Sequence, residues 1–253
     1  MSLWTPKRTH PNSHIFELDV TLPICAGLPG NEFLMGGIAM ATAIEAAEQF
    51  TGRPLLWATI QFISPGALDS LVTIKVEQLG GGRNVSQVCV TLSAGDKIIQ
   101  KMSAALGARD DFENCQFVKM PKVRPPEESF VRGDAPSDLN QGVTTKFERL
   151  RAFDCSETGV EYMWARPKFE TPMSAPLLSI TSDFILGAHQ TSNFGKSIDN
   201  TLRIYSRQET DWILCVTQIS GVANGFSHST MHQFAQDGTL LSISSQTGIM
   251  KRP

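Results

Sequence analysis

Asp199, Ser220 and Gln246 are the residues of this chain best placed to carry a reaction. Asp199 precedes a strand-like run, Ser220 ends another, and Gln246 lies inside the last apolar one, LLSISSQTGIM. A carboxylate can take a proton from water, and a hydroxyl and an amide can hold that water in line. A buried amide in such a strand needs hydrogen-bond partners. Each residue also has a structural reading: Asp199 as a turn cap, Ser220 as a solvated strand end, Gln246 as a water-facing alternate. A second feature is the pair Gly36–Gly37, near the start of a predicted helix. Backbone N–H groups at such a start meet developing negative charge. Glycine there costs helix propensity, about 1 kcal/mol each relative to alanine, so a close backbone approach is its natural explanation.

The elements that must hold these groups follow from the periodicity. Asn31–Phe50 reads as one helix, apolar or small almost all the way round, with Asn31 as N-cap and Gly52–Arg53–Pro54 as its stop. A helix without a polar face must be wrapped by something. Before it, residues 14–25 alternate as an opening strand ended by Pro23. After it come four strand-like runs, Leu55–Ile63, Leu71–Leu79, Val85–Ala94 and Lys97–Leu106, separated by turn residues. The alternation predicts an antiparallel meander with one face on a core, curved round the helix.

The second half repeats the first. Shifted by 142 residues, Thr59–Ile63 lies on Thr201–Tyr205, Leu71–Val72 on Ile213–Leu214, and Ile98–Ile99 on Leu240–Leu241. The helix segment 33–48 lies on Ala175–Gln190. The positions of Asp199, Ser220 and Gln246 are Trp57, Gln78 and Ala104 in the first copy, so the polar trio belongs to one copy only. Residues 108–145, with their prolines and charges, read as a linker, giving units at 1–107 and 146–253.

Composition narrows the class. Of 253 residues, 41% are apolar and 19% charged, enough for a large core and too little charge for disorder. A net charge of −3 without a basic run argues against nucleic acid as a partner. Five scattered cysteines without a CxxC indicate neither a disulfide framework nor a zinc site, and the five histidines show no HExxH; no metal is expected. The opening residues lack the apolar core of a secretory signal, and the first helix is too interrupted for a membrane span. These features lead to the expectation of a cytoplasmic protein that does not enter the membrane.

The fragments FLMGGIAMATA, WATIQFISPGALDSLVTIKVEQLGGGRN, SIDNTLRIY and QDGTLLSISSQTGIMKR resemble the acyl-CoA thioesterase II family, TesB-like proteins of double hotdog fold. The resemblance runs from about residue 14 to the end and is weakest through 108–170. It implies an α+β fold of two antiparallel sheets, each wrapped round a long central helix. It also implies hydrolysis of acyl-CoA in fatty acid metabolism, without cofactor, by a water that an Asp, a Thr or Ser, and a Gln activate. By motif these map onto Asp199, Ser220 and Gln246, with Gly36–Gly37 on the oxyanion. Thr217 is the fallback for Ser220. Asp183, in the second helix, reads as a locally bonded carboxylate rather than a catalytic one. Arg83 reads as a turn residue that could reach a CoA phosphate. The resemblance also leads to the expectation of a homo-oligomer. Two rivals stand beside hydrolysis: a non-catalytic acyl-thioester binding protein, and a hotdog hydratase or dehydratase, for which His189 lacks an obvious partner.

Overall fold

The computed structural model describes residues 2–109, 113–133, 142–188 and 196–250. In chain order the main elements are β1 Ile15–Asp19, α1 Gly36–Thr51, β2 Leu55–Phe62, β3 Leu71–Gly81, β4 Val85–Ala94 and β5 Lys97–Gly107. The second half supplies β6 Phe147–Cys155, β7 Val160–Pro167, α2 Ala175–Ser182, β8 Asp199–Ile204, β9 Ile213–Ala223, β10 Phe226–Ala235 and β11 Leu240–Ile249. The four runs read from the first half's alternation all form strands within two residues of the expected bounds.

The sheet is one, not two. Strand pairing runs β1-β3-β4-β5-β2 through the first half, crosses to β8, and continues β8-β11-β10-β9-β7-β6, within a single 14-stranded antiparallel sheet. The two β2 and β8 edges meet because each would otherwise leave a row of unpaired backbone groups. Their register places Thr59 opposite Thr201, and the two hydroxyls touch at 3.1 Å. Residues 142 apart thus sit on a local two-fold axis. The same offset relates the Thr59–Ser103 pair of β2 and β5 to the Thr201–Ser245 pair of β8 and β11.

Helix α1 is buried along most of its length, from Gly37 to Ala47. It ends at Gly52, whose φ of +65° places it in the left-handed region, its N–H on Glu48 O at 2.8 Å. Its start differs from the sequence reading. Asn31 does not cap it; residues Phe33–Leu34 are extended and pair with Cys25–Ala26. The extended path satisfies backbone groups that a longer helix would strand, with Leu34 N–H on Gly66 O and Met35 N–H on Ile24 O. The N-cap residue is then Met35, which has no capping side chain.

Helix α2 is shorter than the second repeat implied. Ser174 caps it on Leu177 N–H at 3.3 Å, Pro176 sits in its first turn, and after Ser182 it tightens into a 3-10 turn, Asp183–Gly187. Ser179, Thr181 and Ser182 turn their hydroxyls back onto carbonyls three and four residues earlier. Such bonds compete with the helical ladder. The described parts of the segment between the halves are docked: Gln116 accepts from Leu240 N–H at 2.6 Å, and Arg132 and Val143 are buried. His189 lies outside the described residues.

Candidate active site

The start of α1, strand β11 and the short extended piece Lys196–Ser197 converge on Asp183, at the end of α2. The 3-10 turn that follows α2 begins at this residue and aims its carboxylate at the uncapped start of α1. Asp183 Oδ2 accepts the Gly37 N–H at 2.7 Å. The N-terminal N–H groups of a helix lack intrahelical partners, so the second half supplies the cap that Met35 does not. The glycine pair now has its reason. A Cβ on Gly37 would lie 2.9 Å from Asp183 Cβ and 3.0 Å from Ile180 Cα; one on Gly36 would lie 3.1 Å from Asp183 Oδ2 and 3.1 Å from the Phe62 ring.

The other carboxylate oxygen, Oδ1, takes two side-chain donors. Gln246 Nε2 donates at 2.6 Å and Ser197 Oγ at 3.3 Å. Gln246 comes from β11 and is 2% exposed. Ser197 lies in the short extended piece Lys196–Ser197, which pairs with the end of β11. The amide orientation is dictated by its partner, since an ionised carboxylate only accepts. Gln246 Oε1 is therefore the amide atom not bonded to Asp183, and it has no hydrogen-bond partner among the described residues.

Asp183 is partly open to solvent, while three protein donors surround its carboxylate. Burial pushes its pKa up from the ordinary 3.8 to about 6, against the downward pull of the bonds from Gln246, Gly37 and Ser197. A carboxylate in that range is largely ionised at neutral pH and can still take a proton. No histidine among the described residues bonds to it.

The residues expected from sequence fall differently. Gln246 and Gly37 come together, joined through Asp183 rather than through Asp199. The Asp199 carboxylate accepts the backbone N–H of Thr247 at 2.8 Å and ties β8 to β11 beside Gln246. Ser220 is exposed and sits where the β9–β10 register slips between Ile219 and Gly221. The first half has a matching slip between Gln78 and Gly80, so the irregularity belongs to the fold. β10 also lies between β9 and β11, which separates Ser220 from the Gln246 strand by two strand spacings, about 10 Å. Thr217 is buried on β9, two strands away likewise. The hydroxyl at the carboxylate is Ser197, in the same SIDN stretch as Asp199. Two signals could have pointed to it: Asp183 is the only charged residue in the helical run Ala175–Gly187, and a buried carboxylate needs donors.

Among the described residues no three His, Cys, Asp or Glu side chains gather as a metal site would require, and no helix is long and apolar enough to cross a membrane.

Comparison with known proteins bears on what this arrangement does. Residues 28–107 match the family model of the acyl-CoA thioesterase N-terminal domain, and residues 122–250 that of the C-terminal domain. Acyl-CoA thioesterase 2 of Haemophilus influenzae (strain ATCC 51907 / DSM 11121 / KW20 / Rd) is 24% identical over 252 residues, covering 86% of this chain and 87% of its own. A candidate thioesterase of Novosphingobium aromaticivorans DSM 12444 superposes with a TM-score of 0.93 at 27% identity, over 99% of this chain and 100% of that one. The acyl-CoA thioesterase II TesB2 of Mycobacterium marinum superposes at 0.78 with 16% identity, over 99% and 97%.

Proposed function

The chain belongs to the TesB-like acyl-CoA thioesterase II family, of hotdog fold, and hydrolyses acyl-CoA thioesters; from that premise we propose that Asp183, Ser197 and Gln246 activate the water. The observation that carries this reading is the half-satisfied Gln246 amide. Its nitrogen is spent on Asp183, and its buried oxygen is left to accept from a small donor at the same spot. A water there donates one hydrogen to Asp183 and the other to Gln246 Oε1, which turns its lone pair toward the thioester carbonyl. Ser197 fixes the carboxylate rotamer.

As the water oxygen bonds to the carbonyl carbon, its proton passes to Asp183. The Gly36 N–H, with the positive end of α1 behind it, meets the oxyanion; Gly37 N–H is occupied by Asp183 and orients the base instead. The tetrahedral centre then breaks its C–S bond. Asp183 returns the proton to the departing CoA sulfur, and the free acid leaves. Asp199 and Ser220 take no part in proton transfer on this reading. The free thiols of all five cysteines fit a reducing cytoplasmic setting, and pairing with a second copy remains the expected assembly.

Thiol release from a panel of acyl-CoA chain lengths tests the assignment. Asp183→Asn is expected to lower kcat by about 10²–10⁴-fold, the range of general base catalysis, while Ser220→Ala leaves it unchanged. Full activity in Asp183→Asn, with loss in Asp199→Asn, would return the base to Asp199. The rival hydratase chemistry predicts hydration of an enoyl-CoA without thiol release, which the same assay separates.

A further inference from the structure

Arg132 belongs to neither repeat. It follows the two-residue strand Phe130–Val131, which pairs with β6, and its own N–H bonds Arg149 O at 3.0 Å. Its side chain is almost wholly buried, at 3% exposure. Both terminal nitrogens donate to Phe184 O, each at 3.4 Å; Nη1 also lies 3.1 Å from Met163 Sδ, and Nη2 pairs with Glu161 Oε2 at 2.9 Å. Phe184 is the residue after Asp183. Its carbonyl lies just past the point where α2 gives way to the 3-10 turn Asp183–Gly187, and a guanidinium is a strong, charge-assisted donor to such an oxygen.

The surrounding contacts hold that peptide in one place. The Arg149 guanidinium lies 5.5 Å from the Phe184 ring centroid, and the Phe147 ring meets it edge-on at 5.5 Å. On the other side of Asp183, Asn200 Nδ2 donates to Ser182 Oγ at 3.2 Å. The 3-10 turn also passes so close to the arginine that a Cβ on Gly187 would come within 2.8 Å of Nη2. Burying a guanidinium is unfavourable, and Glu161, itself 1% exposed and also bonded by Arg151, offsets only part of it. A neutral apolar core would serve packing alone at lower cost.

We propose that Arg132 is a positioning residue for Asp183: by gripping the Phe184 carbonyl it sets the depth and direction of the base. This rests on Asp183 being the base. Arginine supplies what lysine does not, two parallel donors on one carbonyl and a third contact on Glu161 from a rigid plane.

The test compares wild type with Arg132→Lys and with the double variant Arg132→Met/Glu161→Gln, which removes the pair's charges together. Rates of thiol release from a saturating acyl-CoA are normalised to folded protein by circular dichroism. The expected result is kcat lowered by about 10–100-fold, the cost of a misplaced group near the chemistry, with KM within about twofold. The acid limb of the kcat profile should move to higher pH, because a displaced carboxylate loses its donors. Wild-type kcat and acid limb in folded variants, with only the melting temperature lowered, would overturn the proposal. If these variants do not fold, Gly187→Ala presses on the guanidinium while the ion pair stays intact, and the same loss in kcat is expected; its absence overturns the proposal equally. Asp183→Asn is run alongside. If it stays active, the assignment of the base fails; if it is dead while the Arg132 and Gly187 variants behave as wild type, only the role of Arg132 fails.

Discussion

At the scale of the residue, the proposed role of Asp183 makes its pKa a link between activity and stability. Its value rises from 3.8 in the unfolded chain to about 6 in the fold, chiefly through burial. The native state therefore binds the extra proton, and stability falls as pH climbs between those values. At about 1.4 kcal/mol for each pH unit, the ionised carboxylate costs the fold on the order of 3 kcal/mol above pH 6, and nothing below about pH 4. Asp183→Asn keeps an acceptor for Gly37 N–H and has no charge to desolvate. It is expected to melt several degrees above wild type at pH 7.5, with the difference closing near pH 4, in paired thermal scans. The wild-type kcat should fall on the acid side with a midpoint near 6, read from the pH–rate profile. Ser197→Ala removes the weaker of the two side-chain donors to Oδ1 and should lower kcat by roughly 10-fold, a loss of about 1.4 kcal/mol, with folding unchanged in thermal melts.

At the scale of the element, the site depends on how closely α1 approaches α2. Gly37→Ala places a methyl carbon against Asp183 Cβ and backbone at Ile180. Backbone cannot swing aside as a flexible side chain can, so the helices must part. A stability loss of about 1–3 kcal/mol is expected, along with a fall in kcat, measured by denaturant titration and thiol release on the same preparation. Much of this level was legible in the sequence. The alternation of Val72, Ile74 and Val76 located β3, and the 142-residue offset located the local two-fold. The sequence grouped Asp199 and Ser220 with Gln246, whereas the fold sets Gln246 beside Asp183 and Ser197, for a physical reason. Strand neighbours in sequence order, such as β8 and β9, are separated in the sheet by β11 and β10. Asp199 and Ser220 looked adjacent only along the chain. Asp183 was visible, but its placement was not, because what defines it is a bond across 146 residues to Gly37. The shortening of α2 and the docking of Arg132 likewise depend on contacts that no local pattern encodes.

At the scale of the molecule, the two halves are alike in path and unlike in chemistry. Under the 142-residue offset, Asp183, Ser197 and Gln246 correspond to Ala41, Leu55 and Ala104. The first half therefore has no carboxylate, hydroxyl or amide at the corresponding positions. Titration with a non-hydrolysable acyl-CoA analogue, followed by calorimetry, should saturate at one equivalent per chain; two equivalents would show that the apolar counterpart still binds. The cap that Asp183 places on α1 has a consequence for the order of events in folding. Before the halves dock, Asp183 is solvated, with an ordinary affinity for protons, and the start of α1 is bare. Docking alone brings the Asp183 carboxylate, the Gln246 amide and the helix start together, and it requires the β2–β8 pairing of segments about 140 residues apart, the slow kind of contact. Catalysis is thus the last property to mature: on dilution from denaturant, secondary structure should recover first, and thiol release should lag until the halves have found each other.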